Sequence, residues 1–340
     1  MLNNETRIAD QKMEHPRVKP RDDSPNPEAG VYADLDALIR LQYKAKGFSF
    51  LPHQPVHSIL AGRHASRLRG RGLNFEELRG YLPGDDIRNI DWKVTARTQK
   101  PHVRVYTEEK DRPVLLVVDQ RMSMFFGSKR AMKSVTAAEA AALSAWRVLD
   151  SGDRVGSLVF NDDEIVEIRP HRSESQVMQI LHTIVDLNRR LGVKSEDSPR
   201  RPAANPRMFN DVLRRASRVA THDFLVVLIS DCLGADETSE QLVTSICNHN
   251  DVILAFIYDP LESDMPKVGR AVVSEGDLQM EIDTSDSKLR RQFRDQFNDE
   301  LEKARQFSRT RAIPLLPIQT GEGVAEQIRT LLGQSQKRGL

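Results

Sequence analysis

Cysteine is nearly missing from this chain: Cys232 and Cys247 are the only two in 340 residues. They match no zinc-site spacing and are too few for a disulfide scaffold, which points to a reducing compartment. Long apolar runs are missing as well. Each uninterrupted apolar stretch is far shorter than the roughly 20 residues that cross a bilayer, so no membrane span is expected. The opening residues Met1-Leu2-Asn3-Asn4-Glu5 have neither a basic n-region nor an apolar h-region, and no signal peptide is predicted. Net charge is the third absence. Lys+Arg total 50 against 49 Asp+Glu, a formal balance of +1, which carries no global polyanion-binding signature. The expectation by elimination is a soluble cytoplasmic protein, long enough for one large domain or two ordinary ones.

Catalytic signatures are absent too. There is no His-Glu-x-x-His, no nucleophile elbow and no Walker loop. Gly70-Arg71-Gly72 lacks the Gly-x-x-x-x-Gly-Lys-Ser/Thr spacing of a phosphate cradle, and no long helical pattern follows it. His53 and His57 are four residues apart, but Pro52 and Pro55 argue against a helix that would align them as ligands.

What is present begins with a polar, proline-bearing stretch, residues 1–30, read as a disordered tail. Leu35, Leu38, Ile39, Leu41 and Tyr43 then fit one helix over Asp34–Lys46, with Asp34 as its cap and Gly47 as its stop. Residues 62–110 form a block dense in arginine but interleaved with Glu76, Glu77, Asp85, Asp86 and Asp91. Planar arginine forks matched to carboxylates make fixed cross-links. The block therefore reads first as a polar-stapled subdomain holding Tyr81 and Trp92 against the main core. A partner-binding face and a nucleic-acid-binding module using the arginines of 63–104 are the other readings, the last disfavoured by so much acidic compensation.

From residue 113 strands and helices alternate, the signature of a doubly wound α/β domain with a mostly parallel sheet. The run Val114-Leu115-Leu116-Val117-Val118 reads as a strand buried on both faces, and Asp119 stands where it would leave the sheet. Phe224–Ile229 is a second such strand, ending in Ser230-Asp231. Open α/β sheets bind at the carboxyl ends of their strands, so Asp119, Ser123 and Asp231 have the position and chemistry for a hard-cation or polar site, with Arg121 lying between the first two. Arg154–Phe160 and Ile165–Ile168 read as a hairpin that makes one edge strand antiparallel. Arg270–Ser274 and Leu278–Ile282 form a small hairpin insertion within 260–284, and Pro314 and Pro317 suit the last strand to an edge.

The stretches Arg69-Gly70-Arg71-Gly72, Arg79-Gly80-Tyr81-Leu82-Pro83-Gly84-Asp85-Asp86, Arg88, Ile90-Asp91-Trp92 and Thr95-Ala96-Arg97, followed by the strand ending at Asp119 and by Gly152-Asp153-Arg154-Val155-Gly156, are similar to the DUF58 family. The likeness spans roughly residues 34–335 and is most specific in 62–125. It implies Arg79, Tyr81, Gly84, Asp85, Asp86, Arg88, Asp91, Trp92 and Arg97 as signature residues of an N-terminal region, 31–112. It also implies that residues 113–335 resemble a von Willebrand factor type A domain. The expected function is then that of an adaptor or chaperone-like, non-enzymatic component acting with a MoxR-type AAA+ ATPase.

The type A domain's metal-ion-dependent adhesion site uses Asp-x-Ser-x-Ser, a threonine from a second loop and a later aspartate. Asp119, Ser123 and Asp231 match three of these positions. Arg121 replaces the first serine, and Asn205-Pro206-Arg207-Met208-Phe209-Asn210 offers no threonine. The resemblance therefore implies a degenerate crevice that holds magnesium or manganese weakly or not at all, and in which the Arg121 guanidinium accepts a partner's carboxylate instead; the alternative is an Arg121 turned to solvent, with a divalent ion still bound. A metal-dependent hydrolase built on Asp119 and Asp231 is the alternative from another class, and a helix-capping role for these residues the plain structural one.

Overall fold

A computed structural model of the protein describes residues 30–46, 73–108, 112–191, 205, 207–265, 267, 269–275, 278–311 and 313–337. The reading of residues 1–30 as a tail, apart from Gly30, and the readings of His53 and His57 and of the Gly70–Gly72 loop lie outside them.

In chain order the elements are helix α1 (Leu35–Arg40), strand β1 (Leu73–Gly80), helix α2 (Trp92–Thr98), strands β2 (His102–Glu108) and β3 (Pro113–Asp119), helix α3 (Lys133–Asp150), strands β4 (Arg154–Phe160) and β5 (Ile165–His171), helices α4 (Glu174–Arg189) and α5 (Met208–Val219), strand β6 (Leu225–Ser230), helix α6 (Glu237–Cys247), strand β7 (Asp251–Tyr258), helix α7 (Pro260–Ser263), strands β8 (Arg270–Glu275) and β9 (Leu278–Asp283), helix α8 (Ser287–Arg311), strand β10 (Leu315–Gln319) and helix α9 (Val324–Lys337).

Six strands form one sheet in the order β10-β7-β6-β3-β4-β5. All neighbours are parallel except β4 and β5, which pair antiparallel. The hairpin reading of β4 and β5 and the edge reading of β10 both hold. Every residue of β3 is buried, and its alternate side chains serve two different cores. Val114, Leu116 and Val118 face α3, α4 and α9 through residues such as Trp146, Ile180 and Ile328. Leu115 and Val117 face α5, α6 and α8 through Val212, Ile246 and Phe297. A strand with two apolar neighbours needs apolar residues at both parities, which is why it reads as an unbroken run.

The alanines of α3 that pack here, among them Ala137, Ala141 and Ala145, are fully buried, and their small side chains let the helix axis lie close to the sheet. Gly156 sits where the β4–β5 register shifts. A Cβ there would stand 2.6 Å from both the Ile168 carbonyl oxygen and the Pro170 nitrogen, so only glycine fits the close approach.

Asp34 caps α1 by accepting the Ala37 N–H, and the helix tightens into a 3₁₀ turn over Leu41–Tyr43. Ala33, Leu38 and Ala45 join the sheet domain's core. The Trp146 indole N–H donates to the Leu38 carbonyl at 3.2 Å. A buried amide relay completes this junction: the Ala33 N–H donates to Asn188 Oδ1, and Asn188 donates to Gln120 Oε1. Part of the 31–112 stretch is thus bound into the sheet domain, beside the strand end that carries Asp119.

The rest of that stretch is a two-stranded ribbon. β1 and β2 pair antiparallel from Leu73–Glu108 to Gly80–His102, and the connection between them carries the 3₁₀ turn Ile87–Asn89 and α2. These elements pack chiefly on one another. Two carboxylates hold the connection. Asp85 takes the Arg79 guanidinium on both oxygens at 2.8 Å and also accepts the Leu82 N–H. Asp91 caps α2 through the Lys93 and Val94 N–H groups and takes Arg104 on its other oxygen. The staples that the sequence suggests are present, but they do not press Trp92 into the core: Trp92 is 69% exposed. The forks fix the connection to its own ribbon, and the indole is left outside.

Candidate functional site

The crevice follows from topology. β3 leads into α3 on one face of the sheet and β6 into α6 on the other, although β3 and β6 are neighbours. The connections leave in opposite directions, and the gap between them at the carboxyl ends is the switch point where doubly wound sheets bind. Asp119 closes β3 there, and Asp231 follows β6 directly.

Four parallel strands deliver an aspartate to this end: Asp119 from β3, Asp162 just beyond β4, Asp231 from β6 and Asp259 from β7. All four are buried. Asp162 accepts the Met122 N–H at 2.7 Å and the Asn205 N–H at 2.9 Å. Asp259 accepts the N–H groups of Ser128 and Leu261 and the Thr320 hydroxyl. These two acids therefore stitch the rim loops together and are fully hydrogen-bonded in doing so.

The other two acids face cations of the chain itself. Arg121 is only 3% exposed because its side chain turns into the crevice. Nε reaches both Asp119 oxygens at 3.0 and 3.1 Å, Nη2 reaches Oδ2 at 2.6 Å, and Nη1 donates to the Leu233 carbonyl at 2.9 Å. Asp231 Oδ1 lies 3.5 Å from Nη2. The guanidinium also lies over the rings of Phe160 and Phe209, at 5.5 and 5.4 Å from their centroids, an arrangement that favours a cation with little water around it. Lys133, in the first turn of α3, reaches Asp231 at 3.0 Å and Glu262 at 2.7 Å. The Ser230 hydroxyl donates to Asp119 at 2.7 Å.

The electrostatics follow from burial and pairing. Burial works against the charge of Asp231, yet Lys133 and Arg121 outweigh it and hold the carboxyl below the usual range. Burial pushes the Asp119 carboxyl up, and Arg121 draws it back. Burial likewise raises Glu262 against the pull of Lys133. Both cations are held more firmly protonated than usual: burial opposes them, but Asp119 secures Arg121 and Asp231 with Glu262 secures Lys133. Burial, together with Asp231 and Asp119, pushes the Cys232 thiol well up, which leaves it a poor nucleophile.

The structure brings Asp119, Arg121 and Asp231 together. The Ser123 hydroxyl is buried and has no hydrogen-bond partner among the described residues. The role of Arg121 needs correction. Its donors are directed to Asp119 and Leu233 inside the fold, leaving no exposed fork for a partner's carboxylate. Lys133, Glu262, Ser230, Asp162 and Asp259 complete the arrangement; sequence reasoning did not single out Lys133, Glu262, Asp162 or Asp259 for it. The recurrence of aspartate at strand ends was the available signal for Asp162 and Asp259.

A divalent ion needs oxygen ligands free of competing cations. With Arg121 on Asp119 and Lys133 on Asp231, the donor set does not fit one. Among the described residues no group of three or more His, Cys, Asp or Glu side chains is placed to hold a metal ion. Of the signature residues, Arg79 and Asp85 form one fork and Asp91 receives another from Arg104. Asp86 caps the 3₁₀ turn through the Arg88 N–H, and Gly84 takes the left-handed backbone of the turn at φ +107°. Arg88, Trp92 and Arg97 are exposed and Tyr81 is half-buried.

Two solved structures align with part of the chain. BatB from Bacteroides thetaiotaomicron aligns with a TM-score of 0.38 at 12% identity, over 67% of this chain and 100% of that one. An aerotolerance-related membrane protein from Bacteroides fragilis aligns at 0.37 and 13%, over 66% and 99%. In sequence, uncharacterized proteins of Mycobacterium tuberculosis and Mycobacterium bovis are each 30% identical over 227 residues, 66% of this chain and 67% of theirs. The family model described as a protein of unknown function, DUF58, matches residues 77–303, from β1 through the crevice into α8, and the chain accordingly belongs to the DUF58 family.

Proposed function

We propose that this protein is a non-enzymatic, cytoplasmic protein-interaction module acting with a MoxR-type AAA+ ATPase in chaperone-like assembly or maturation. Its strand-end crevice is a degenerate relative of the metal-ion-dependent adhesion site, in which Arg121 and Lys133 stand in place of the ion. The observation that carries this reading is the buried Arg121 guanidinium closed onto Asp119. It neutralises the acid that a hydrolase would need and builds a rim at the same time. Cys232 takes a left-handed backbone, φ 57°, and Leu233 donates its N–H to Asp231 while its carbonyl accepts Arg121. That double anchor presents the Leu233 side chain outward, 49% exposed. The apolar knob replaces the ion as the feature a partner can read.

The test is to mix the purified chain with a MoxR-type ATPase and follow ATP hydrolysis. The reading expects a change in ATPase rate that Leu233→Asp removes. It also expects no turnover of phosphodiester or ester substrates by the chain alone, with or without manganese. Metal-dependent turnover that disappears in Asp119→Asn would contradict it.

A further inference from the structure

Six large apolar side chains stand exposed among the described residues, and four of them, Leu78, Leu82, Ile87 and Trp92, come from one short stretch of the ribbon. Leu82, Ile87 and Trp92 are the most exposed of these, at 60%, 64% and 69%. All three lie in the connection between β1 and β2, at the end of the ribbon where Gly80 pairs with His102. They ride on three separate turns: the Leu82–Asp85 turn, the 3₁₀ turn at Ile87, and the first turn of α2. Three bulky groups are thus exposed on successive turns at one end of the ribbon. A groove for a peptide would instead place them along concave walls.

The charges around the tip are one-sided. Asp85 and Asp91 are taken up by the forks with Arg79 and Arg104. Arg88, Lys93, Arg97 and Lys100 are exposed, and none of the four has an acidic partner among the described residues. Asp86 is the one carboxylate in the connection outside a fork, and it caps the 3₁₀ turn. Indole and branched aliphatic groups seat in the headgroup layer of a bilayer, and basic side chains beside them meet anionic headgroups. The forks matter here because they fix the connection to its own ribbon, so little ordering is required on contact.

We propose that the tip of the β1–β2 ribbon docks the protein peripherally on an anionic lipid surface. Leu82, Ile87 and Trp92 enter the headgroup layer, and Arg88, Lys93, Arg97 and Lys100 lie against anionic lipid. Exposed apolar groups beside cations that have no acidic partner among the described residues suit a fluid anionic surface, which needs no matching concavity. The inference is independent of the crevice and of any ATPase partner.

The chain provides its own reporter. It has two tryptophans, and Trp146 is 2% exposed inside the core, so a change in emission on vesicle addition reports Trp92. The full chain is sedimented with vesicles of phosphatidylcholine alone and of phosphatidylcholine containing phosphatidylglycerol, while tryptophan emission is recorded. The expected result is partition onto the anionic vesicles with a blue shift, weakened by salt. Lys93→Glu with Arg97→Glu should lower partition by at least about 25-fold, since each basic side chain at such a surface contributes about fivefold. The triple variant Leu82→Ser, Ile87→Ser, Trp92→Ser should lose partition while keeping the parent's circular dichroism. Leu233→Asp, at the other site, should bind vesicles as the parent does. No partition onto either vesicle, equal partition onto both, or partition unchanged in the triple variant would overturn the proposal, the first of these reassigning the tip to a protein partner.

Discussion

At the strand ends, Arg121 and Lys133 are buried with the acids that neutralise them. On the ribbon, Arg88, Lys93, Arg97 and Lys100 stand exposed beside Trp92 and Ile87. The two regions use arginine and carboxylate in the same chemistry and to opposite ends. In the crevice the pairing is complete and closes the place where a doubly wound sheet ordinarily binds. In the ribbon two forks set the backbone, and Arg88, Lys93, Arg97 and Lys100 are exposed with Leu82, Ile87 and Trp92. The exposed apolar side chains stand away from the closed acids, at Leu233 on the crevice rim and at Leu82, Ile87 and Trp92 on the ribbon.

The largest effects that sharpen this contrast fall in the crevice. Arg121→Met leaves Asp119 and Asp231 buried beside each other without a guanidinium. Removing one partner of a buried charge pair costs about 3–5 kcal/mol, so urea unfolding should show a loss of that size. Lys133→Met should behave similarly by stranding Asp231 beside Glu262. Trp92→Ser on the ribbon should stay within about 0.5 kcal/mol of the parent, as exposed substitutions do. A Trp92→Ser loss as large as that of Arg121→Met would break the contrast.

Next come the ribbon staples. Hydrogen bonding to the Val94 N–H and then to Arg104 holds Asp91 below the ordinary carboxylate range, and Arg79 does the same for Asp85. A depressed folded value stabilises above the ordinary value of about 3.9 and is lost as pH falls through the lowered one. Trp92 anisotropy should therefore stay flat from neutral pH to about 4 and fall in stronger acid. Asp91→Asn should speed amide exchange at Lys93 and Val94 with the sheet's exchange unchanged. The smallest effect is that of salt. Exposed charges are screened at 1 M, where the Debye length is about 3 Å, so salt should loosen the more exposed Arg79–Asp85 fork and leave the buried Arg121–Asp119 contact as it is.

Much of this arrangement was legible in the sequence. The unbroken apolar runs at β3 and β6 mark strands buried on both sides, and the aspartates after them mark the crevice. The position of Arg121 inside Asp-x-Arg-x-Ser already pointed to a crevice without a normal metal ligand set. Lys133 was not legible, because Lys129, Arg130 and Lys133 look alike and only the phase of α3 turns the last one inward. Asp162 and Asp259 sit beside asparagine and proline, and so read as turn residues before they read as members of a strand-end ring. Trp92 misled in the opposite way. Aromatic residues usually pack inside, and only the geometry of the forks shows that the connection folds on its own ribbon and leaves the indole out.

The measurement closest to the central claim is calorimetric titration of magnesium and manganese into the chelator-stripped chain, with Arg121→Ser beside it. If the chain's own cations occupy the crevice, the native protein gives no binding heat, and the variant, with Asp119 and Asp231 relieved of the guanidinium, gains it. Saturable binding by the native chain, abolished by Asp119→Asn, would contradict the account.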